Sequence, residues 1–210
     1  MVSIQIVPPP AGSEAAALTR VVTAAVADPN VTRLIVTPPP EEALPDVALS
    51  AVVGVLMRHE RLDLEIAYVA PVATRATRIY RLPHGAEALA LAENGVAQEL
   101  PLIRDDAATV LVGRARHLGA EGAKLHGETY VDSERLFDGD VRGVVIEPLP
   151  ELPGVRARRD RRLPGGWVTG RAAQTGGTNL VVEREGVLTE RVVKRSTFYR
   201  HHLNWKLVCP

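Results

Sequence analysis

The run Arg33-Leu34-Ile35-Val36-Thr37-Pro38-Pro39-Pro40 decides the fold: an apolar, extended stretch closed by three residues that cannot donate a backbone hydrogen bond. The same phrase opens the chain, where Ser3-Ile4-Gln5-Ile6-Val7 runs into Pro8-Pro9-Pro10. After the first phrase, Ser13 stands as an N-cap before an Ala-rich helix over residues 15–27. After the second, Pro45 and Asp46 begin a helix whose Val47, Leu49, Val52, Val53 and Leu56 keep close to the 3.6-residue period. Asp28-Pro29-Asn30 turns the chain between them, and residues 64–69 read as a third strand. Strands separated by helices at this spacing imply right-handed crossovers and a parallel sheet.

Further on, residues 86–93 predict a short helix, stopped by Asn94-Gly95. The character then changes. Residues 100–103, 109–114, 129–131 and 141–147 are β-rich runs separated by Asp105-Asp106, Gly119 and Asp138-Gly139-Asp140, which are hairpin signals. Residues 149–166, rich in Pro, Gly and Arg, read as a loop; strands follow near 179–184 and 190–194, flanking the turn dipeptide Glu185-Gly186. No internal repeat is present. The expected architecture is an α/β fold: a Rossmann-like parallel-sheet domain over residues 1–100, then an antiparallel, β-sandwich-like domain over 101–210 with a basic C-terminal segment.

Composition narrows the function classes. Lys+Arg and Asp+Glu both number 25, so a whole-protein basic field for nucleic acid is excluded and nucleic acid is not an expected partner. The single cysteine, Cys209, excludes an intramolecular disulfide framework. The most apolar run, residues 47–57, is too short to cross a bilayer and ends in Arg58-His59-Glu60-Arg61, so a cytoplasmic protein is expected. Charge is nonetheless uneven. Residues 1–150 carry 13 basic against 20 acidic side chains, and residues 151–210 carry 12 against 5. That split has two readings: an anion site, or mutual attraction between two parts of one molecule.

Several patterns bear on chemistry. His59-Glu60-Arg61-Leu62-Asp63 begins like the helical zinc-protease motif, with Asp63 where the second His belongs, and gives a distant metallopeptidase reading. Asp105, Asp106, Asp132, Asp138 and Asp140 are residue types that hold Mg²⁺, and each also suits a turn. Gly176-Gly177-Thr178-Asn179 is the sole glycine-rich candidate for a phosphate loop; it precedes a strand rather than a helix, and the plainer reading is a turn. Arg156, Arg158, Arg159, Arg161 and Arg162 gather in the loop near Trp167, and Lys194, Arg195, Phe198, Tyr199, Arg200, His201, His202, Trp205 and Lys206 interleave cations with aromatics. That mixture suits an anionic headgroup or a polyphosphate, or else core aromatics among solvated arginines.

The order of elements resembles the bacterial diacylglycerol (lipid) kinases of the NAD-kinase superfamily. Residues 66–69 lead to Pro71, Thr74, Arg78, Leu82-Pro83 and the Ala-rich run 86–91, and Pro71, Thr74, Arg78 and Leu82-Pro83 are the positions that carry over from that family's motif. The resemblance covers roughly residues 30–115 and, more loosely, the remainder. It implies the two-domain fold, Mg-ATP as cofactor of an active member, and an interdomain cleft as the site. The departure lies at the nucleotide loop: Pro38-Pro39-Pro40-Glu41-Glu42 stands where the family has GGDGT. This removes close backbone approach and adds negative charge where triphosphate oxygens belong.

The expectation is therefore a degenerate, non-catalytic relative with no catalytic residues. It would bind an anionic small molecule or lipid headgroup in the cleft through Thr74, Arg75, Arg78, Arg171, Lys194 and Arg195. The alternative is an active lipid kinase using Mg-ATP.

Overall fold

The structure, a computed structural model, describes residues 2–7, 15–161 and 166–210. Ser13, Pro8-Pro9-Pro10 and Arg162, which the sequence singles out, lie outside them. The chain forms two units, residues 1–100 with 203–210, and residues 101–202.

The first unit begins β1 (Val2–Ile6), α1 (Ala15–Ala27), β2 (Val31–Val36), α2 (Pro45–Arg58), β3 (Glu65–Tyr68). Ile4 stands opposite Leu34, and Leu34 opposite Ile66, all in parallel register. Leu18, Val22, Ala25 and Val26 give α1 one buried stripe, while Leu49, Val52, Val53 and Leu56 give α2 another; such stripes are what holds short helices in place. Next come α3 (Arg75–Tyr80), α4 (Ala86–Asn94) and β4 (Val96–Asp105), which passes into the second unit after Leu100. The sequence gives no strong period for α3, which is only six residues long and rests on its cap. The last residues of the chain return to this unit: Lys206 and Leu207 pair in parallel with Glu65 and Ile66, and buried Trp205 meets Tyr80 edge-on at 5.6 Å.

Gly95 ends α4, but not as the left-handed cap expected of Asn-Gly. Its φ is −75°, and a Cβ there would lie 2.6 Å from both the Leu91 carbonyl and the Val208 side chain. Glycine is needed for close approach, not for backbone hand.

The second unit holds β5 (Val110–Leu111), β6 (Ala115–Gly119), β7 (Leu125–Val131), β8 (Glu134–Val141), β9 (Gly143–Pro148), β10 (Val155–Arg159), β11 (Val168–Gly170), β12 (Ala172–Arg184) and, as far as His202, β13 (Val187–Cys209). β6 pairs antiparallel with β9 and β12, β10 with β9 and β11, and β12 with β7 and β13. Leu125, Ile146, Leu180 and Phe198 anchor its core.

Three expectations are corrected here. Residues 149–166 are not all loop, because Val155 and Ala157 are buried between outward arginines and pair with β9; arginine at alternate positions hides a two-residue period. Gly176-Gly177-Thr178-Asn179 is not a turn but lies inside β12. A Cβ on Gly127 would sit 2.0 Å from the Gly176 carbonyl, so glycines let two strands close on each other. Finally, the strand at 109–114 shrinks to Val110–Leu111. The backbone N–H groups of Val112, Gly113 and Arg114 instead donate to the Glu185 carboxylate, at 2.8 to 3.1 Å.

Candidate functional site

In this fold class ligands gather beyond the carboxyl ends of parallel strands, so the segments after β2 and β3 are the place to look. After β2 the chain offers few donors. Pro38, Pro39 and Pro40 have no N–H, the Glu42 N–H donates to the Pro39 carbonyl at 3.0 Å, and the Leu44 N–H donates to the Glu42 side chain at 3.0 Å. Helix α2 then starts on Pro45, again without an N–H.

The first turn of α2 carries Asp46, only 7% exposed. One of its carboxylate oxygens accepts the Tyr68 hydroxyl at 3.0 Å; the other accepts the Ala76 N–H at 3.0 Å. A helix N-terminus attracts negative charge. Here the protein's own carboxylate fills that place for α2 and also takes the Ala76 N–H in the first turn of α3. Sequence reading saw Asp46 only as a helix start; its partners, 22 and 30 residues away, are visible only in the fold.

The candidate residues of the first unit sit on α3. Thr74 is its N-cap: the Thr74 hydroxyl accepts the Thr77 N–H at 3.1 Å, and the Thr77 hydroxyl accepts the Thr74 N–H at 2.8 Å. This reciprocal box fixes the helix start. Thr74 is buried, Arg75 half-buried, and Arg78 exposed in the last turn.

In the second unit Arg171 is exposed, and its backbone is pinned. Its N–H and that of Ala172 donate to Asp132 at 2.9 to 3.0 Å, and its carbonyl accepts the Arg200 N–H at 2.9 Å. Lys194 and Arg195 are exposed on β13, with Arg195 opposite Gly176. Arg171, just before β12, precedes Gly176 by five positions, about 17 Å at the usual strand rise. Arg171 and the Lys194–Arg195 pair thus lie along one ladder rather than around one point.

Most of the other candidates are engaged elsewhere. The Arg156 guanidinium grips buried Glu147 at 2.6 and 3.0 Å and, with Arg158, flanks the Trp167 ring at 4.4 and 4.9 Å. Asp105 accepts the N–H groups of Ala107 and Thr109 and pairs with Arg184, while Asp140 meets His126 at 2.8 Å. His59 faces the Thr23 hydroxyl at 3.2 Å and Asp63 pairs with Arg61 at 3.0 Å. Among the described residues no three His, Cys, Asp or Glu side chains converge as a metal site would require.

A buried polar chain escaped sequence reading altogether. Fully buried His117 has Nδ1 2.6 Å from the Thr175 hydroxyl, which lies 2.6 Å from the Thr129 hydroxyl. Three separate strands contribute it, and no local pattern announces it. Burial above all, with the Arg184 guanidinium second, lowers the His117 imidazole to about 3.

No family model matches the sequence, and no curated protein matches it. Solved structures do match the fold. A diacylglycerol kinase from Bacillus anthracis str. Sterne superposes with a TM-score of 0.70 at 9% identity, covering 99% of this chain and 96% of that one. An NAD kinase from Archaeoglobus fulgidus, in complex with ATP, gives 0.58 at 10% identity, covering 99% and 93%. This chain therefore has the two-part fold of those kinases. No helix among the described residues is long and apolar enough to cross a membrane.

Proposed function

We propose that this chain is a non-catalytic protein built on the diacylglycerol-kinase and NAD-kinase fold, which binds an anionic small molecule or lipid headgroup. Arg75 and Arg78, on the helix that Thr74 caps, supply cations in the first unit; Arg171, Lys194 and Arg195 supply them in the second. The observation that carries this reading is Asp46: with its carboxylate at the start of α2 and prolines before it, neither charge nor backbone donors favour a triphosphate there. The exposed arginines favour an anion, since a guanidinium grips phosphate in bidentate fashion.

Thermal shift with and without millimolar Mg-ATP tests the loss of nucleotide binding. No shift is expected, whereas a ligand present at about 100 times its dissociation constant would add about 2.7 kcal/mol. A shift of that size would favour the alternative, an active lipid kinase, whose support is the fold shared with an ATP-bound NAD kinase. For the anion, Arg171→Ala with Arg195→Ala should abolish binding to phosphatidylglycerol vesicles while leaving the melting temperature unchanged. Vesicle binding that survives the double substitution would remove these residues from the site.

A further inference from the structure

The second unit has an apolar groove that the reading above does not use, its strip formed by Val181, buried, Leu118, half-buried, and Leu188 and Val192, exposed. In β12 Leu180 and Val182 face the core, so Val181 points the other way, and it stands opposite Leu118 of β6. On β13, Leu188 and Val192 lie four residues apart on one side, 47% and 49% exposed. A solvated sheet face ordinarily carries polar side chains at such positions. Here these four residues line a groove of about 610 Å³, within the range of sites that hold small molecules.

One end of this groove is cationic. Arg142 lines it and also lines a neighbouring groove of about 430 Å³, together with Lys124 and Arg159. None of these three cations has a carboxylate partner among the described residues. Asp140 and Asp160 line that neighbouring groove too, against Lys124, Arg142, Arg159 and Arg161; Asp160 pairs with Arg116, as does Glu183, and Asp140 meets His126, which offsets its charge only when protonated, so cations outnumber acids there. Glu121 and Glu190 also line the apolar groove and disfavour an anion beside them, so negative charge is better placed in the neighbouring groove that Arg142 shares with Lys124 and Arg159.

We propose that this strip is a second binding site, for a single-chain anionic amphiphile. Its acyl chain lies along Leu118, Val181, Leu188 and Val192, and its headgroup sits on Arg142, Lys124 and Arg159. The site shares no residue with the one proposed above, so the two stand or fall separately.

Calorimetric titration below the micellar range tests it, with oleoyl lysophosphatidic acid, oleoyl lysophosphatidylcholine and inorganic phosphate as probes. The anionic lipid should bind at least about tenfold tighter than the zwitterionic one, and phosphate alone weaker still. Leu188→Ser with Val192→Ser, and separately Arg142→Ala with Arg159→Ala, should each weaken the anionic lipid about tenfold or more. In the Arg171→Ala, Arg195→Ala variant, which removes cations of the site proposed above, binding of the anionic lipid to the strip should persist and remain sensitive to the serine and arginine pairs. Melting temperatures report folding, and if the serine pair unfolds the arginine pair decides alone. Equal affinity for both lipids, no binding, or loss of binding only in the Arg171/Arg195 variant would overturn the proposal. So would a dimer in sedimentation that the serine pair dissolves, since a second copy of the chain would then cover the strip.

Discussion

His117 shows how one residue can tie stability to pH without belonging to any site. Folded, its imidazole stays neutral down to about pH 3, because ionising it would place a charge in a dry core beside Arg184. Unfolded, it takes up a proton near pH 6.5. Below pH 6.5 the unfolded chain therefore binds one proton more than the folded one, and stability falls by about 1.4 kcal/mol per pH unit until the folded value is reached; above pH 6.5 this residue adds no pH dependence. Urea unfolding of the parent and of His117→Gln at pH 6.5 and 5.0 isolates the effect. The parent should lose about 2 kcal/mol more than the variant over that interval. Equal losses would mean that His117 titrates normally in the folded protein. The sequence offers no route to this residue, since a lone histidine between Arg116 and Leu118 looks like any other strand position.

Elements were legible where period and punctuation agree, and obscure where one residue type has two uses. The strand–proline–helix phrases place β1, β2 and α2 because proline excludes continued pairing and the stripe of α2 is regular. Gly176-Gly177 misleads, because a glycine pair marks a turn in most settings, and only the partner strand reveals the close approach at Gly127. Substitution separates the two roles. Gly127→Ala sets a methyl 2.0 Å from a backbone carbonyl that cannot move without parting β7 from β12, and should cost about 3 kcal/mol in chemical denaturation. Gly176→Ala meets nothing nearer than 3.9 Å and should cost less than about 1 kcal/mol. Similar costs at the two positions would refute the close-approach account of this strand pair. The same logic hid β10, whose arginines disguise a buried Val155 and Ala157.

At the scale of the molecule, charge is where sequence and fold part company. Split at residue 150, the chain looks like an acidic body with a basic tail; sorted by the units it forms, 8 basic stand against 11 acidic residues in the first and 17 against 14 in the second. The contrast shrinks because acids from β4 to β9 fold together with arginines from β10 to β13. Arg184 meets Asp105, Arg116 meets Asp160 and Glu183, and Arg156 meets Glu147, so much of the positive charge is answered within its own unit. Such partly buried pairs are weakly screened, whereas Arg78, Arg171, Lys194 and Arg195 are exposed and their attraction for a ligand acts through water. Salt should therefore separate stability from binding. Between about 0.05 and 0.5 M sodium chloride the Debye length falls roughly threefold; the melting temperature should shift by less than about 2 °C, which is under 1 kcal/mol for a protein of this size. Over the same range binding to phosphatidylglycerol vesicles should weaken at least about tenfold. A fall of several degrees in melting temperature, with no vesicle binding even at low salt, would instead assign the exposed cations to holding the molecule together and remove the basis for an anion site.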